Sequence, residues 1–273
     1  MATEDLIRLG SYLSVLATMA VWELVAPRRV LTAPKLCRWG GNLTIVIVNT
    51  VIARLLFAGG VVATAALAQA RGWGLLNLVQ GPRWLEIALA VVALDFIIYV
   101  QHRVFHQIPV LWRFHMMHHS DLDLDVSSGV RFHPVEIIIS TLIKIAAVIV
   151  LGAPPLAVII FEIVLNSTAL FNHSNVTMSL WLEPYLRWFV VTPDMHRIHH
   201  SVEPRETNSN YGFNVPWWDR LLGTYCAEPA LGQTGMKIGL EHLGPPVCLN
   251  VLMMLRFPFV SKLGRYAGSQ TST

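Results

Sequence analysis

Charge is scarce in this chain. Asp, Glu, Lys and Arg make up 14% of the 273 residues, against roughly 25% in ordinary soluble domains, while 54% are hydrophobic and the mean hydropathy is +0.52. That balance excludes a water-soluble globule and implies a membrane protein. Cysteine is scarcer still: Cys37, Cys226 and Cys248 lie far apart and form no CxxC, which excludes a thiolate metal site and a disulfide framework. No Pro/Gly/Ser-rich linker, repeat or low-complexity block divides residues 1–273, so one domain is expected. Dinucleotide fingerprints, iron-sulfur motifs and a cytochrome-like region are lacking as well, so redox chemistry here would need a separate electron donor. The net charge of +3 gives no reason to expect nucleic acid as a partner.

Long apolar runs are what the chain does have. Residues 6–26 match the length of a bilayer crossing, with neither a basic n-region nor an A-x-A site before them, and Arg28/Arg29 follow the run. A retained anchor is expected. Residues 27–41, with Arg28, Arg29, Lys35 and Arg38, form a basic loop that the positive-inside rule assigns to the cytoplasm. Further runs at 43–70, 84–101, 135–151 and 156–171 bring the expected crossings to about five, the last two forming a hairpin about Gly152-Ala153-Pro154-Pro155. Lys144 and Glu162 lie at similar distances from that turn and are expected to pair across it. With the N-terminus outside, 102–134 and everything after 172 fall on the cytoplasmic face. A further membrane-associated helix is expected at 247–260, where Arg256 and Pro258 fit a span poorly.

Histidine is the residue in surplus. Nine of eleven fall in clusters or between them: His102/His106, His115/His118/His119, His173 and His196/His199/His200. On helices these are i, i+4 and i, i+3, i+4 sets, so each cluster is expected to aim its imidazoles to one side. A lone histidine on an apolar face is ordinarily core packing. Eight or nine nitrogen donors exceed one tetrahedral zinc and suit two metals. Asp and Glu are nearly absent from the cluster positions, unlike the Glu-x-x-His sites of soluble di-iron bundles, and His102-Arg-Val-Phe-His106 lacks the glutamate of a zinc protease. A histidine-rich metal-binding protein or transporter without oxygenase activity is the alternative reading.

The order HxxxH, HxxHH and distant HxxHH resembles the fatty acid hydroxylase/sterol desaturase superfamily of integral membrane non-haem di-iron oxygenases. So do Asp95-x3-Tyr99-x2-His102, Arg131-Phe132-His133-Pro134-x-Glu136, Asn172-His173-Ser174, Asn210-Tyr211-Gly212 and Trp218-Asp219-Arg220. The likeness covers roughly 84–225. It implies an all-α membrane fold with a cytoplasmic-face helical cap carrying the boxes, the eight box histidines as ligands of two irons, His173 as an additional ligand, and O2 as cosubstrate. Zinc is an alternative occupant, since imidazole suits it too.

The implied reaction is hydroxylation or desaturation of an unactivated C–H bond in a lipid such as a fatty acyl chain or a sterol-like molecule, with a ferredoxin, rubredoxin or cytochrome as donor. A bacterial inner membrane is the expected location. His133 is either a tenth ligand or a partner to a ligand ring, the latter preferred, because a ligating imidazole needs a partner for its second nitrogen. Asp95 and Tyr99 share the helical face of His102 and His106 and would orient those rings or cap a polar cluster. Asp194 is a similar candidate beside His196. Residues 210–225, rich in aromatics, would roof the site or anchor at the interface, and His242 lies outside every motif. No substrate-binding residue can be named from the sequence.

Overall fold

The computed structural model describes residues 2–78, 81–241 and 250–260. The longer helices come first: α1 Ala2–Val25, α2 Lys35–Leu56, α3 Gly60–Ala70, α4 Arg83–Gln107, α5 Pro109–His119, α6 Pro134–Leu151 and α7 Pro155–Asn172. Short helices follow: α8 Glu183–Leu186, α9 Pro193–His199, α10 Pro204–Thr207, α11 Trp217–Leu221, α12 Gly232–Gly235 and the ten-residue α13 Val251–Val260. Among the described residues there is no strand, only the isolated bridges Pro27–Val176 and Ser201–Ile238. The chain is an all-α integral membrane protein.

Among the described residues, four segments are long and apolar enough to cross a membrane: Lys35–Leu78, α4, α6 and α7. The fifth expected crossing, at 6–26, is the helix α1, which carries Glu4, Asp5, Arg8 and Glu23 and is not among them. It packs along α7. The run at 43–70 is one traverse made of two helices, broken before Gly60, whose φ of 61° is left-handed. α2 lies against the loop after the second histidine box, and α3 continues along α6 towards its far end.

At that far end the hairpin turns as expected. Gly152 (φ 68°) closes α6 by donating its N–H to Val148 O at 2.9 Å, and Pro155 supplies the preset φ for the first turn of α7. Only glycine fits there, since a Cβ on Gly152 would lie 2.5 Å from Trp73 O. α3, α4, α6 and α7 enclose an apolar core that includes Leu94, Ile98, Val148, Val158 and Phe161. Lys144 reaches Glu162 at 3.8 Å, and Arg8 of α1, which the hairpin argument did not include, binds the other oxygen of the same carboxylate. His242, Cys248, Lys262, Arg265 and the first residues of the 247–260 stretch lie outside the described residues.

Candidate metal centre

α4 ends in two histidines one turn apart, His102 and His106. The chain then breaks at Ile108, held extended by the proline that follows, and restarts as α5 with Pro109 at its first position. α9 begins the same way: Thr192 caps it by accepting from Met195 N at 3.3 Å, and Pro193 follows. Two short helices carrying HxxHH are thus set against the end of α4, with His173 at the C-terminal end of α7.

The nine histidines form two groups, every ring buried. His102, His106, His115, His119 and His199 make one; His118, His173, His196 and His200 make the other; within each, the nitrogens lie within 4.8 Å of one another. The clusters do not each aim to one side, as the sequence pattern suggested. The i, i+4 pairs stay together, His102/His106 and His115/His119 in the first group and His196/His200 in the second, while the odd residue of each HxxHH, His118 or His199, crosses over. Adjacent residues on a helix point about 100° apart, so each HxxHH is shared between both groups.

Tautomers follow from the outer nitrogens. His102 Nδ1 donates to Tyr211 O at 2.8 Å, His115 Nδ1 to Glu136 Oε1 at 2.7 Å, His199 Nδ1 to Ser209 O at 2.7 Å and His173 Nδ1 to Ala169 O at 2.7 Å. A neutral imidazole with a protonated Nδ1 has only a lone pair on Nε2. Yet the His102 and His115 Nε2 lone pairs face each other at 3.1 Å, and the His173 Nε2 lone pair lies 3.1 Å from both His118 Nε2 and His196 Nε2. Opposed lone pairs need a cation between them, and two imidazoles bound at 2.0–2.1 Å to one metal stand about 3.0–3.4 Å apart. Both nitrogens of His106 and His119, and Nε2 of His199, are buried without a partner. The donor set fits two imidazole-bound metals.

Burial, reinforced by neighbouring imidazoles, pushes His118, His119, His196 and His200 well below the usual histidine value. The same causes bring His199 to about 3, and burial brings His173 to about 4. Burial thus disfavours the charged form of these six rings and leaves their nitrogens able to ligate.

Residues outside the boxes hold this arrangement. Gly129 lets the turn after the second box approach α7, since a Cβ there would lie 2.5 Å from Ala169 O and 3.3 Å from His173 Nδ1. Asn210 adopts φ 50°, fixed by side-chain bonds to Met195 O at 3.0 Å, Cys226 O at 2.9 Å and Cys226 N at 2.9 Å. It lies between Ser209 and Tyr211, whose carbonyls accept from His199 and His102. Asp219 holds Tyr211 N and Gly212 N, both at 2.8 Å.

The basic loop is part of this support. Arg38 is fully buried, bidentate to Asp121 at 2.7 and 2.8 Å and bonded to Asp125 at 2.6 Å. Burial alone would raise the Asp121 carboxyl, but the Arg38 guanidinium holds it well below the usual range. Arg131 donates to Met117 O at 2.9 Å and Ser120 Oγ at 2.9 Å, closing the C-terminal end of α5.

The remaining sequence candidates are placed otherwise. His133 joins neither group and pairs with no ligand candidate; its Nδ1 accepts from Val135 N at 3.1 Å and its Nε2 lies 3.3 Å from Leu255 O, so it caps α6. Glu136, quoted only as part of a motif, is the carboxylate on a histidine. Asp95 accepts from Trp218 Nε1 at 2.6 Å and Tyr99 OH pairs with Thr224 Oγ1 at 2.8 Å, so both tie α4 to residues 218–224 rather than orient its histidines. Asp194 binds Arg28 (2.9–3.1 Å) and Arg197, pinning α9 to the basic loop. Residues 210–225 cover the site with Tyr211 and Phe213, Phe213 lying 4.9 Å from the His102 ring, while Trp217 stays exposed.

Comparisons with known proteins give the family. The chain is 36% identical over 190 residues, 68% of its length and 54% of the relative's, to the ornithine lipid hydroxylase OlsE of Rhizobium tropici. It is 28% identical over 157 residues to the human alkylglycerol monooxygenase, covering 56% of this chain and 33% of that one. It is 27% identical over 183 residues to the fatty acid hydroxylase vlmA of a Lecanicillium species, covering 60% and 49%. The chain thus spans about half the length of the Rhizobium relative. No solved structure matches it. The sequence model described as fatty acid hydroxylase matches residues 87–224, half of the chain, with all nine clustered histidines inside the match, and the chain belongs to the fatty acid hydroxylase family.

Proposed function

We propose that this chain is a membrane-bound, O2-dependent lipid hydroxylase whose nine buried histidines hold two irons, five imidazoles on one and four on the other. One observation carries the reading: the lone pairs of His102 Nε2 and His115 Nε2 oppose one another at 3.1 Å among nine buried rings. When bound, the irons supply O2 activation and attack on an unactivated C–H bond. The balance is C–H plus O2, two electrons and two protons to C–OH plus water. The chain's own residues fix the imidazole tautomers through Tyr211 O, Ser209 O, Ala169 O and Glu136, and keep water out through Tyr211, Phe213 and Phe132.

A lipid substrate is supported by the relatives, which are named for lipids. Their names, hydroxylase and monooxygenase, favour an alcohol over an alkene as product. The electrons come from a separate carrier such as a ferredoxin, rubredoxin or cytochrome, and the basic loop around Arg28, Arg29 and Lys35 favours a cytoplasmic site, in a bacterial inner membrane. The metal-transporter alternative expects ligands near mid-membrane on facing spans; here they cluster at one end of α4 and α7.

The test is expression in cells supplied with 18O2, followed by lipid mass spectrometry. A lipid gaining one 18O, absent with His118→Ala/His199→Ala, is the expected result. An unchanged lipid profile in reducing, iron-replete cells containing candidate donors would overturn the proposal.

A further inference from the structure

Residues 180–189 carry a second unusual surface. Trp181 (72% exposed), Tyr185, Trp188 and Phe189 (68%) present their rings outward, and α11 adds Trp217 and Leu221 beside them. The two stretches are stitched together: Trp217 Nε1 donates to Trp188 O at 2.7 Å, Arg220 Nη2 donates to Arg187 O at 3.2 Å, and Val191 N donates to Asn214 O at 3.0 Å. In water, an apolar patch of this size is a liability; soluble surfaces rarely keep one without a partner.

Two observations place it in the bilayer. The lipid-facing stripe of α4, Leu85, Leu89, Val92, Phe96 and Val100, is exposed at helical spacing, and it runs directly into the patch where Phe96 meets the Trp218 ring at 4.8 Å. Trp218 also donates to Asp95 at 2.6 Å. Asp95 and Phe96 lie on the membrane side of His102 by about 9–11 Å at 1.5 Å per residue. α11 therefore sits at the depth of the span itself, below the histidines. At the rim, the Arg220 guanidinium lies 3.8 Å from the Trp188 ring and 3.9 Å from the Tyr225 ring, the Trp/Tyr/Arg composition of a headgroup boundary.

We infer that residues 180–189 and α11 form a platform embedded in the leaflet on the side of the histidines, with a lipid bilayer surface as its occupant. The platform holds this side of the histidine site at headgroup depth without crossing the membrane. This inference rests on the membrane fold and not on the oxygenase reading.

The test uses the full chain in nanodiscs, with Cys37, Cys226 and Cys248 replaced by serine and single Trp181→Cys, Phe189→Cys or Leu221→Cys variants carrying a fluorescent label. Leu89→Cys on the lipid face of α4 and Glu203→Cys on an exposed loop serve as references, and a single sharp size-exclusion peak reports folding. Bilayers containing lipids brominated high on the acyl chain should quench the three platform labels as strongly as the Leu89 label and leave the Glu203 label bright. Labels quenched by aqueous iodide but not by brominated lipid would overturn the inference. So would labels shielded from both quenchers, which would mean that protein, such as a second copy of the chain, covers the face.

Discussion

The two histidine groups are built differently. The first has five imidazoles, three with Nδ1 fixed by a partner: His102 by Tyr211 O, His115 by Glu136 and His199 by Ser209 O. The second has four, of which only His173 is fixed, by Ala169 O; Nδ1 of His118, His196 and His200 has no partner, and Phe132 stacks on His118 at 4.4 Å. A crowded, braced group suits a metal that keeps its ligands. A smaller, less braced group leaves coordination positions for an incoming molecule. We propose that O2 and substrate reach the four-histidine side, where Phe132 stacks on His118.

Removing one ligand from each group separates them most strongly. His196→Ala leaves three imidazoles in the second group and should abolish product formation, a larger loss than the roughly 100-fold typical of a lost supporting partner. His106→Ala leaves four in the first group and should retain metal and part of the turnover. Equal loss in both, read by product per chain, would erase the distinction.

Arg38→Ala is the control that should not discriminate. It leaves Asp121 and Asp125 buried without their cation beside α5, which feeds both groups, and should cost about 3–5 kcal/mol in unfolding stability. Glu136→Ala acts on one group only, lowering metal affinity about 10–100-fold at the five-histidine site, with Glu136→Gln milder because it keeps an acceptor for His115. Competitive chelation followed by metal counting reads both.

Acid sharpens the contrast further. Histidines lowered by burial contribute stability that is fully present above their unfolded value of 6.5 and lost as pH falls. For His173 the window runs from 6.5 to about 4 and for His199 to about 3. Melting temperatures of metal-stripped protein should therefore drop between pH 7 and pH 5. The smallest effect belongs far from both groups: Lys144→Met should stay within about 1 kcal/mol of the parent, since Arg8 still holds Glu162. Glu162→Gln should cost more, as it leaves two cations facing an uncharged amide.

The apolar runs and histidine spacings made the helical membrane fold and the nine-histidine set legible from residues alone. The division into five and four was not, because which ring of an HxxHH crosses over depends on where the neighbouring helix end lies. Ser209, Tyr211 and Ala169 act through main-chain carbonyls, which leave no mark on residue type, and Gly129 shows its purpose only once α7 is beside it. Arg28 and Arg38 read as loop charges that orient the chain, and are in fact ion-paired to Asp194, Asp121 and Asp125. A positive loop and a buried ion pair look alike in sequence. Glu136 lies within a quotable motif, but His133, three residues earlier, is the residue type that ordinarily binds metal.

The most direct measurement is metal content per chain in detergent-purified protein expressed with iron, alongside His118→Ala/His199→Ala, which takes one ligand from each group. The account predicts about two metals per chain, falling to about one in the variant, because the five-histidine group keeps four imidazoles and the other group only three. One metal or none in the parent, unchanged in the variant, would contradict it.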